Sequence, residues 1–169
     1  MSKPNLQHVP GHLHEEIELV HQDELAVAFA TYQRTIDFFK SIPEEKWNHR
    51  YAHDKWTVKG VVQHVIDAER IFCNRALVIA RQDRTTPLQS FDEKLYGVTS
   101  NADNRTKDDL LSELETVQQS SKKLFASFSD EQLNAKGTVS NYTIDVNTLG
   151  FVIVGHCLHH MKILKERYL

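Results

Sequence analysis

The sequence predicts an all-α protein built as a four-helix bundle. Glycine and proline are sparse, with six Gly and four Pro among 169 residues, so the turns that many short strands would need are missing. Four segments repeat apolar residues every three or four positions, which is the period of a helix face. No segment alternates convincingly with the two-residue period of a strand. These observations together favour helices that each bury one apolar stripe against the others.

Residues 1–22 are predicted to form an irregular arm, because Pro4, Pro10 and Gly11 interrupt any regular period. The bundle domain is assigned to residues 23–169. Its first helix is expected over 23–41, where the apolar positions stack on one face at Leu25, Phe29, Tyr32, Ile36 and Phe39.

The second helix has clear start signals. The Thr57 hydroxyl can accept a hydrogen bond from an unpaired backbone N–H of the first turn, and Trp56 can pack on Val61 as a hydrophobic staple. The helix is expected to run to about Arg81, with its buried stripe at Val58, Val61, Val65, Ala68, Ile71 and Phe72.

The segment from Asp83 to Arg105 is long for a connection inside a compact domain. Such a loop is often a lid or a binding loop, and an ordered crossover between distant helix ends is an equally good interpretation. Its apolar content argues against a flexible linker, since it carries Leu88, Phe91, Leu95 and Tyr96.

A third helix is expected after Thr106, with Asp108 and Asp109 favourably placed in its first turn. Ser129 begins a short extra turn. A small hairpin over 136–144 is possible, and a fourth helix is expected from Asp145 almost to Leu169.

Composition excludes several classes of function. The net charge of −3 and the absence of a Lys/Arg cluster argue against nucleic-acid binding. No apolar run reaches about 18 residues, so no membrane span is predicted, and no apolar leader opens the chain. Cys73 and Cys157 stand singly in separate helical patterns, which is typical of reduced thiols in a cytoplasmic protein.

Histidine is the unusual component, with ten residues in the chain. His156 and His160 are four positions apart, a step that turns a helix by about 40° and advances it by about 6 Å. Both imidazoles therefore project from one face and can bind one ion. Their neighbours on that face, Leu149, Ile153 and Leu164, indicate that the pair points into the core.

His64 lies on the apolar stripe of the second helix and would complete a three-histidine site. Alone it resembles a hydrogen-bonded core histidine, but two further inward histidines favour a shared ion. Asp67, one turn later, could orient the His64 imidazole or act as a base, and His159 is expected to line the pocket. The histidines near the N-terminus are interpreted as solvated side chains.

Three neutral nitrogen ligands leave coordination positions open, as catalytic metal sites do. The expected cofactor is one divalent transition-metal ion, with zinc and nickel both suited to imidazole. No Glu follows His156 as it does in the H-E-x-x-H motif, so the usual metalloprotease base is missing.

Two segments, KWTVKGVVQHVIDAERIFCNRAL at 55–77 and LGFVIVGHCLHHMKILKERYL at 149–169, resemble the DinB-like superfamily of metal-dependent four-helix proteins. The resemblance extends over about 23–169 and is greatest to the branch described as metal-dependent hydrolases. It implies an up-down-down-up bundle with a long crossover between helices 2 and 3, a metal site at His64, His156 and His160, and a homodimer. It also implies activation of low-molecular-weight thiols in some relatives. Gly60 departs from the Glu that relatives often carry, which should weaken the helix start slightly.

Three hypotheses follow. The first is a metal-dependent hydrolase or thiol S-transferase acting on a small molecule in the cytoplasm, with the segment from Asp83 to Arg105 walling its pocket. The second is a non-catalytic module, either a metal-stabilised scaffold or a small-molecule stress sensor, favoured by the lack of an evident general base. The third is a set of ordinary core histidines without a metal.

Overall fold

The computed structural model describes residues 1–88 and 90–169, and it confirms the all-α class. The helices are α1 (His14–Leu19), α2 (Leu25–Ala30), α3 (Tyr32–Ser41), α4 (Val58–Ala80), α5 (Glu93–Thr99), α6 (Lys107–Ala126), α7 (Asp130–Asn134) and α8 (Val146–Arg167). The possible hairpin is present, with β1 (Lys136–Val139) antiparallel to β2 (Tyr142–Asp145). Short 3-10 turns occupy Leu6–His8, Gly11–Leu13, Glu44–Lys46 and Ala102–Asn104. Among the described residues, no helix is both long and apolar enough to cross a bilayer.

The four main helices are arranged up-down-down-up. α4 and α6 are parallel, since Arg70 pairs with Glu113 and, further along both helices, Cys73 bonds to Ser121. α3 runs antiparallel to α6, and α8 antiparallel to α4. α4 packs against both α6 and α8, and α3 packs against the same two helices. The consecutive helices α3 and α4 therefore stand at opposite corners of the bundle.

The parallel pair explains the long connection after α4. A 23-residue helix is about 35 Å long, so the chain must travel that distance back before α6 can begin. The segment from Asp83 to Arg105 makes this return, and it contains α5 and a 3-10 turn.

The predicted helix starts are confirmed by side-chain caps. The Thr57 hydroxyl accepts from the Gly60 N–H, and Ser129 forms a full capping box with Gln132. Thr106 and Asp145 cap α6 and α8 in the same way. Each such cap is worth about 1 kcal/mol.

The first predicted helix is interrupted at Thr31, which divides it into α2 and α3. The Thr31 hydroxyl donates to the Ala28 carbonyl at 2.7 Å, and its backbone N–H bonds to the same carbonyl. These bonds tighten the turn and compete with the regular helical ladder.

The prediction of an irregular arm is wrong for His14–Leu19, which form α1. A six-residue helix is too short to persist alone, and α1 is held by packing because Ile17 and Val20 are fully buried. It lies directly on α8 at Gly155, where an added Cβ would come within 2.0 Å of the Glu16 carbonyl oxygen. The apolar spacing of Leu13, Ile17 and Val20 is the sequence signal for this helix.

A layer of polar side chains crosses the apolar core, and all four main helices contribute to it. The Tyr32 hydroxyl donates to Glu69 at 3.0 Å, and the Cys73 thiol donates to Ser121. The Gln118 amide donates to Thr35 at 3.2 Å and lies 3.5 Å from the Cys157 sulfur. Glu69 Oε2 and Gln118 Oε1 are buried acceptors that have no hydrogen-bond donor among the described residues.

Glu69 is the titratable group of this layer. Its side chain is buried, and burial raises its pKa from 4.5 to about 7, against the smaller opposing effect of the Ser121 and Tyr32 hydroxyls. A protonated Glu69 would also turn one of the two unpaired acceptors into a donor. The folded chain therefore takes up a proton at Glu69 that the unfolded chain releases at lower pH.

The first prediction concerns Glu69→Gln, which replaces the acid with a neutral group of the same shape. Because the folded-state pKa is raised, the stability linked to Glu69 is fully present below pH 4.5 and is lost as the pH rises through about 7. We expect the variant to differ from the parent protein by less than about 1 kcal/mol near pH 5 and to be more stable at pH 8, by up to about 3 kcal/mol. Urea unfolding of the metal-free protein at both pH values measures this difference. Glu18→Gln, at an exposed position of α1, is the control and should show no such divergence; parallel pH profiles for Glu69→Gln and the parent would contradict the prediction.

Candidate metal centre

The antiparallel contact between α4 and α8 brings three histidines together. His64 projects from the first half of α4, and His156 and His160 project from successive turns of α8. The Nε2 atom of His156 lies 3.1 Å from that of His64 and 3.2 Å from that of His160. Ligand atoms of all three side chains lie within 4.8 Å of one another. The structure thus brings together the three residues that the sequence singled out.

This donor set fits a single metal ion. Zinc–nitrogen bonds of about 2.0–2.1 Å at tetrahedral angles place two ligand nitrogens about 3.3 Å apart, close to the observed spacings. Hydrogen bonding alone satisfies the cluster poorly, because a neutral His156 Nε2 carries at most one proton and faces two other nitrogens. One cation at the centre would engage all three lone pairs.

The three rings are prepared to be neutral ligands. Burial lowers the pKa of His64 to about 4, with a smaller contribution from His159. Burial, followed by the neighbouring histidines, also holds the pKa of His156 and of His160 well below 6.5. At neutral pH all three imidazoles are uncharged, so no proton has to be displaced before a metal can bind.

Neither Asp67 nor His159 forms a hydrogen bond with a histidine of the cluster. Asp67 accepts from the Gln63 amide at 2.9 Å, while His64 Nδ1 is buried and has no hydrogen-bond partner among the described residues. His159 Nδ1 lies 3.3 Å from Glu15 on α1, and its ring contacts that of His160. His159 therefore lines the surroundings of the cluster, and Asp67 does not hold the His64 ring.

Aromatic rings that sequence reasoning did not assign to the site surround the cluster. The Trp56 indole lies 4.8 Å from the His64 ring between centroids, and the Phe91 ring of the crossover is stacked against the same His64 ring at 6.4 Å. Phe72 meets His156 edge-on at 5.6 Å. Trp56 was expected only to staple the start of α4, and no periodic pattern marks Phe91. With these rings around it, His64 is only 4% exposed to solvent.

A cavity of about 530 Å³ opens beside His160. Its walls come from the loop before α4, from α5, and from the last turns of α8, at residues that include Tyr51, Trp56, Lys94, Val98, His160 and Tyr168. This volume is ordinary for a small-molecule site. The crossover, through α5, thus contributes one wall of the space that adjoins the cluster.

Comparison with known proteins gives one family and two structural relatives. The sequence pattern of the DinB superfamily matches residues 30–164, and no protein of curated function matches the chain. The fold is similar to that of YfiT from Bacillus subtilis, described as a probable metal-dependent hydrolase with an unusual four-helix bundle topology. That likeness has a TM-score of 0.69 and 18% identity, and covers 97% of this chain and 90% of YfiT. It is also similar to a mycothiol-dependent maleylpyruvate isomerase, with a TM-score of 0.66 and 12% identity, over 94% of this chain and 62% of the isomerase.

The second prediction uses Trp56 as a reporter of the cluster. Co²⁺ bound between the three imidazoles would lie close to the indole and should quench its fluorescence, whereas Zn²⁺, with a filled d shell, should quench it far less. Most of the Co²⁺ quenching should disappear in Trp56→Phe, even though Trp47 remains. A fluorescence titration of metal-free protein measures this. Equal quenching in the parent and in Trp56→Phe would show that the ion binds away from His64.

Proposed function

This chain belongs to the DinB superfamily, and we propose that it binds one divalent transition-metal ion, such as zinc or nickel, through His64, His156 and His160. We propose further that it acts on a small molecule as a metal-dependent hydrolase or a thiol S-transferase. The observation that carries the proposal is the convergence of three imidazoles, one buried and two half-buried, beside an open cavity.

A three-histidine metal site of this kind supports Lewis-acid chemistry. A bound ion supplies a Lewis acid that lowers the pKa of a coordinated water or thiol towards neutrality. The chain's own residues hold the three nitrogens at the right separation and pack the rings of Trp56 and Phe91 against His64. His160 lines the cavity, so a substrate would approach from that side.

The structural relatives support both branches of the proposal. YfiT is described as a probable metal-dependent hydrolase, and the maleylpyruvate isomerase is described as dependent on the thiol mycothiol. We therefore propose a low-molecular-weight thiol as one candidate substrate. The homodimer and the cytoplasmic location remain predictions.

One observation favours the non-catalytic alternative, a metal-stabilised scaffold or stress sensor. The buried Nδ1 atoms of His64 and His160 have no hydrogen-bond partner among the described residues, whereas metal-binding histidines usually donate this N–H to a carboxylate or carbonyl. Asp67, the carboxylate nearest in sequence to His64, bonds to Gln63 instead. A site without an evident base is consistent with a structural ion.

The third prediction tests the ion itself. His160→Ala removes one of three ligands and should weaken zinc binding by roughly a hundredfold or more, while circular dichroism still reports a helical bundle. His159→Ala is the matched control, because it removes a neighbouring imidazole that is not part of the cluster. Metal content of untagged protein and chelator competition measure the effect. If His160→Ala retains the metal content of the parent protein, the proposed site is wrong.

Turnover separates the enzyme from the scaffold. In either case an ion at 100 times its dissociation constant stabilises the fold by about 2.7 kcal/mol, so a higher Tm alone does not discriminate. The enzyme predicts metal-dependent turnover within a panel of thiols, esters and amides. The scaffold predicts that the metal stabilises the fold but that no member of the panel is turned over.

A further inference from the structure

Trp56 is held by two glycines that come from different parts of the chain. At Gly97 on α5, an added Cβ would come within 2.3 Å of the indole Nε1 and 2.6 Å of Cε2. At Gly60 on α4, an added Cβ would lie 3.0 Å from the Cβ of Trp56. Trp56 is therefore in close contact with the backbone at both positions, through its Cβ at Gly60 and through its indole at Gly97. Any side chain at Gly97 would have to displace the indole.

The other contacts of Trp56 fix it against the histidine cluster. Its ring lies on that of His64, with centroids 4.8 Å apart. Its carbonyl accepts a hydrogen bond of 2.9 Å from the Tyr168 hydroxyl, which ties it to the end of α8. Trp56 thus contacts α5 and α4 through its side chain and the end of α8 through its carbonyl, at the point where the cavity adjoins the cluster.

The acidic and basic side chains around the cavity are equal in number. Asp54 and Lys55 pair with each other at 3.1 Å. Glu93 and Lys94 add one exposed charge of each sign on the α5 side. The inner surface is apolar and aromatic instead, with Trp56, Val61 and Ile163 near His160.

We infer that Trp56, whose indole is packed on Gly97 and on the His64 ring, makes the cavity selective for small ligands that carry an apolar ring next to their metal-binding atom. A flat ring in such a ligand can pack on the indole while its donor atom reaches the ion. Stacking and edge contacts between aromatic rings add enough binding free energy for roughly tenfold tighter binding. This inference rests on the proposed metal site.

Imidazole and 4-phenylimidazole provide a matched pair of probes, because they present the same kind of nitrogen donor without and with an apolar ring. The protein is loaded with Co²⁺, and each probe is titrated while the visible absorption of the ion and the Trp fluorescence are recorded. We expect the parent protein to bind 4-phenylimidazole roughly tenfold more tightly than imidazole.

Gly97→Ala should reduce this preference, because the new methyl group displaces either the indole or α5. Gly11→Ala is the matched control, since an added Cβ there meets no atom within 4 Å. Trp56→Leu provides a second variant, which removes the ring but keeps an apolar side chain. In both Gly97→Ala and Trp56→Leu, the ratio between the dissociation constants of imidazole and 4-phenylimidazole should fall most of the way to one, whatever happens to the affinity for imidazole itself.

The outcomes separate the inference from the function on which it rests. If the parent protein does not bind Co²⁺, the proposed metal site fails. If Co²⁺ binds but the two probes bind equally, or if the preference survives unchanged in both Gly97→Ala and Trp56→Leu, the inference is overturned and the metal site stands.

Discussion

The antiparallel packing of α4 on α8 is the contact on which the rest of the site depends. It sets His64 opposite His156 and His160 with their Nε2 atoms close together, and it withdraws the three rings from water, which lowers the pKa of each. Burial thus serves two ends. It contributes the apolar contact that holds the helices together, and it suppresses protonation, which would otherwise compete with metal binding. The same burial therefore stabilises the fold and keeps the imidazoles neutral, as metal ligands must be.

The direction of the helices explains the rest of the architecture. Because α4 and α6 are parallel, the chain needs a long return path, and this path passes over the end of the bundle where the histidines meet. The crossover supplies α5 and Phe91 to the surroundings of the cluster. The crossover that the parallel helices require therefore also forms one wall of the cavity, through α5. The polar layer around Glu69 lies deeper in the same core, and its contacts also link all four main helices.

The sequence alone predicts much of this structure, for identifiable reasons. Local signals mark the caps at Thr57, Thr106, Ser129 and Asp145, and the four-residue spacing of His156 and His160 fixes their common face. His64 needed the resemblance to the family, since nothing local distinguishes it from a core histidine. Interactions between distant segments were beyond sequence reasoning: α1 exists because α8 covers it, and the contact of Gly97 with Trp56 joins residues 41 positions apart, a separation that no periodicity reveals.

The contact between α1 and α8 extends the packed core beyond the segment that the family pattern covers. The family pattern begins at residue 30, yet α1 buries Ile17 and Val20 completely and touches α8 at Gly155, next to His156. The segment that matches the family pattern is therefore shorter than the packed unit of this chain. The surface of α8 that α1 covers has become core, and a fragment cut at the family boundary would expose it on the flank of the histidine-bearing turns.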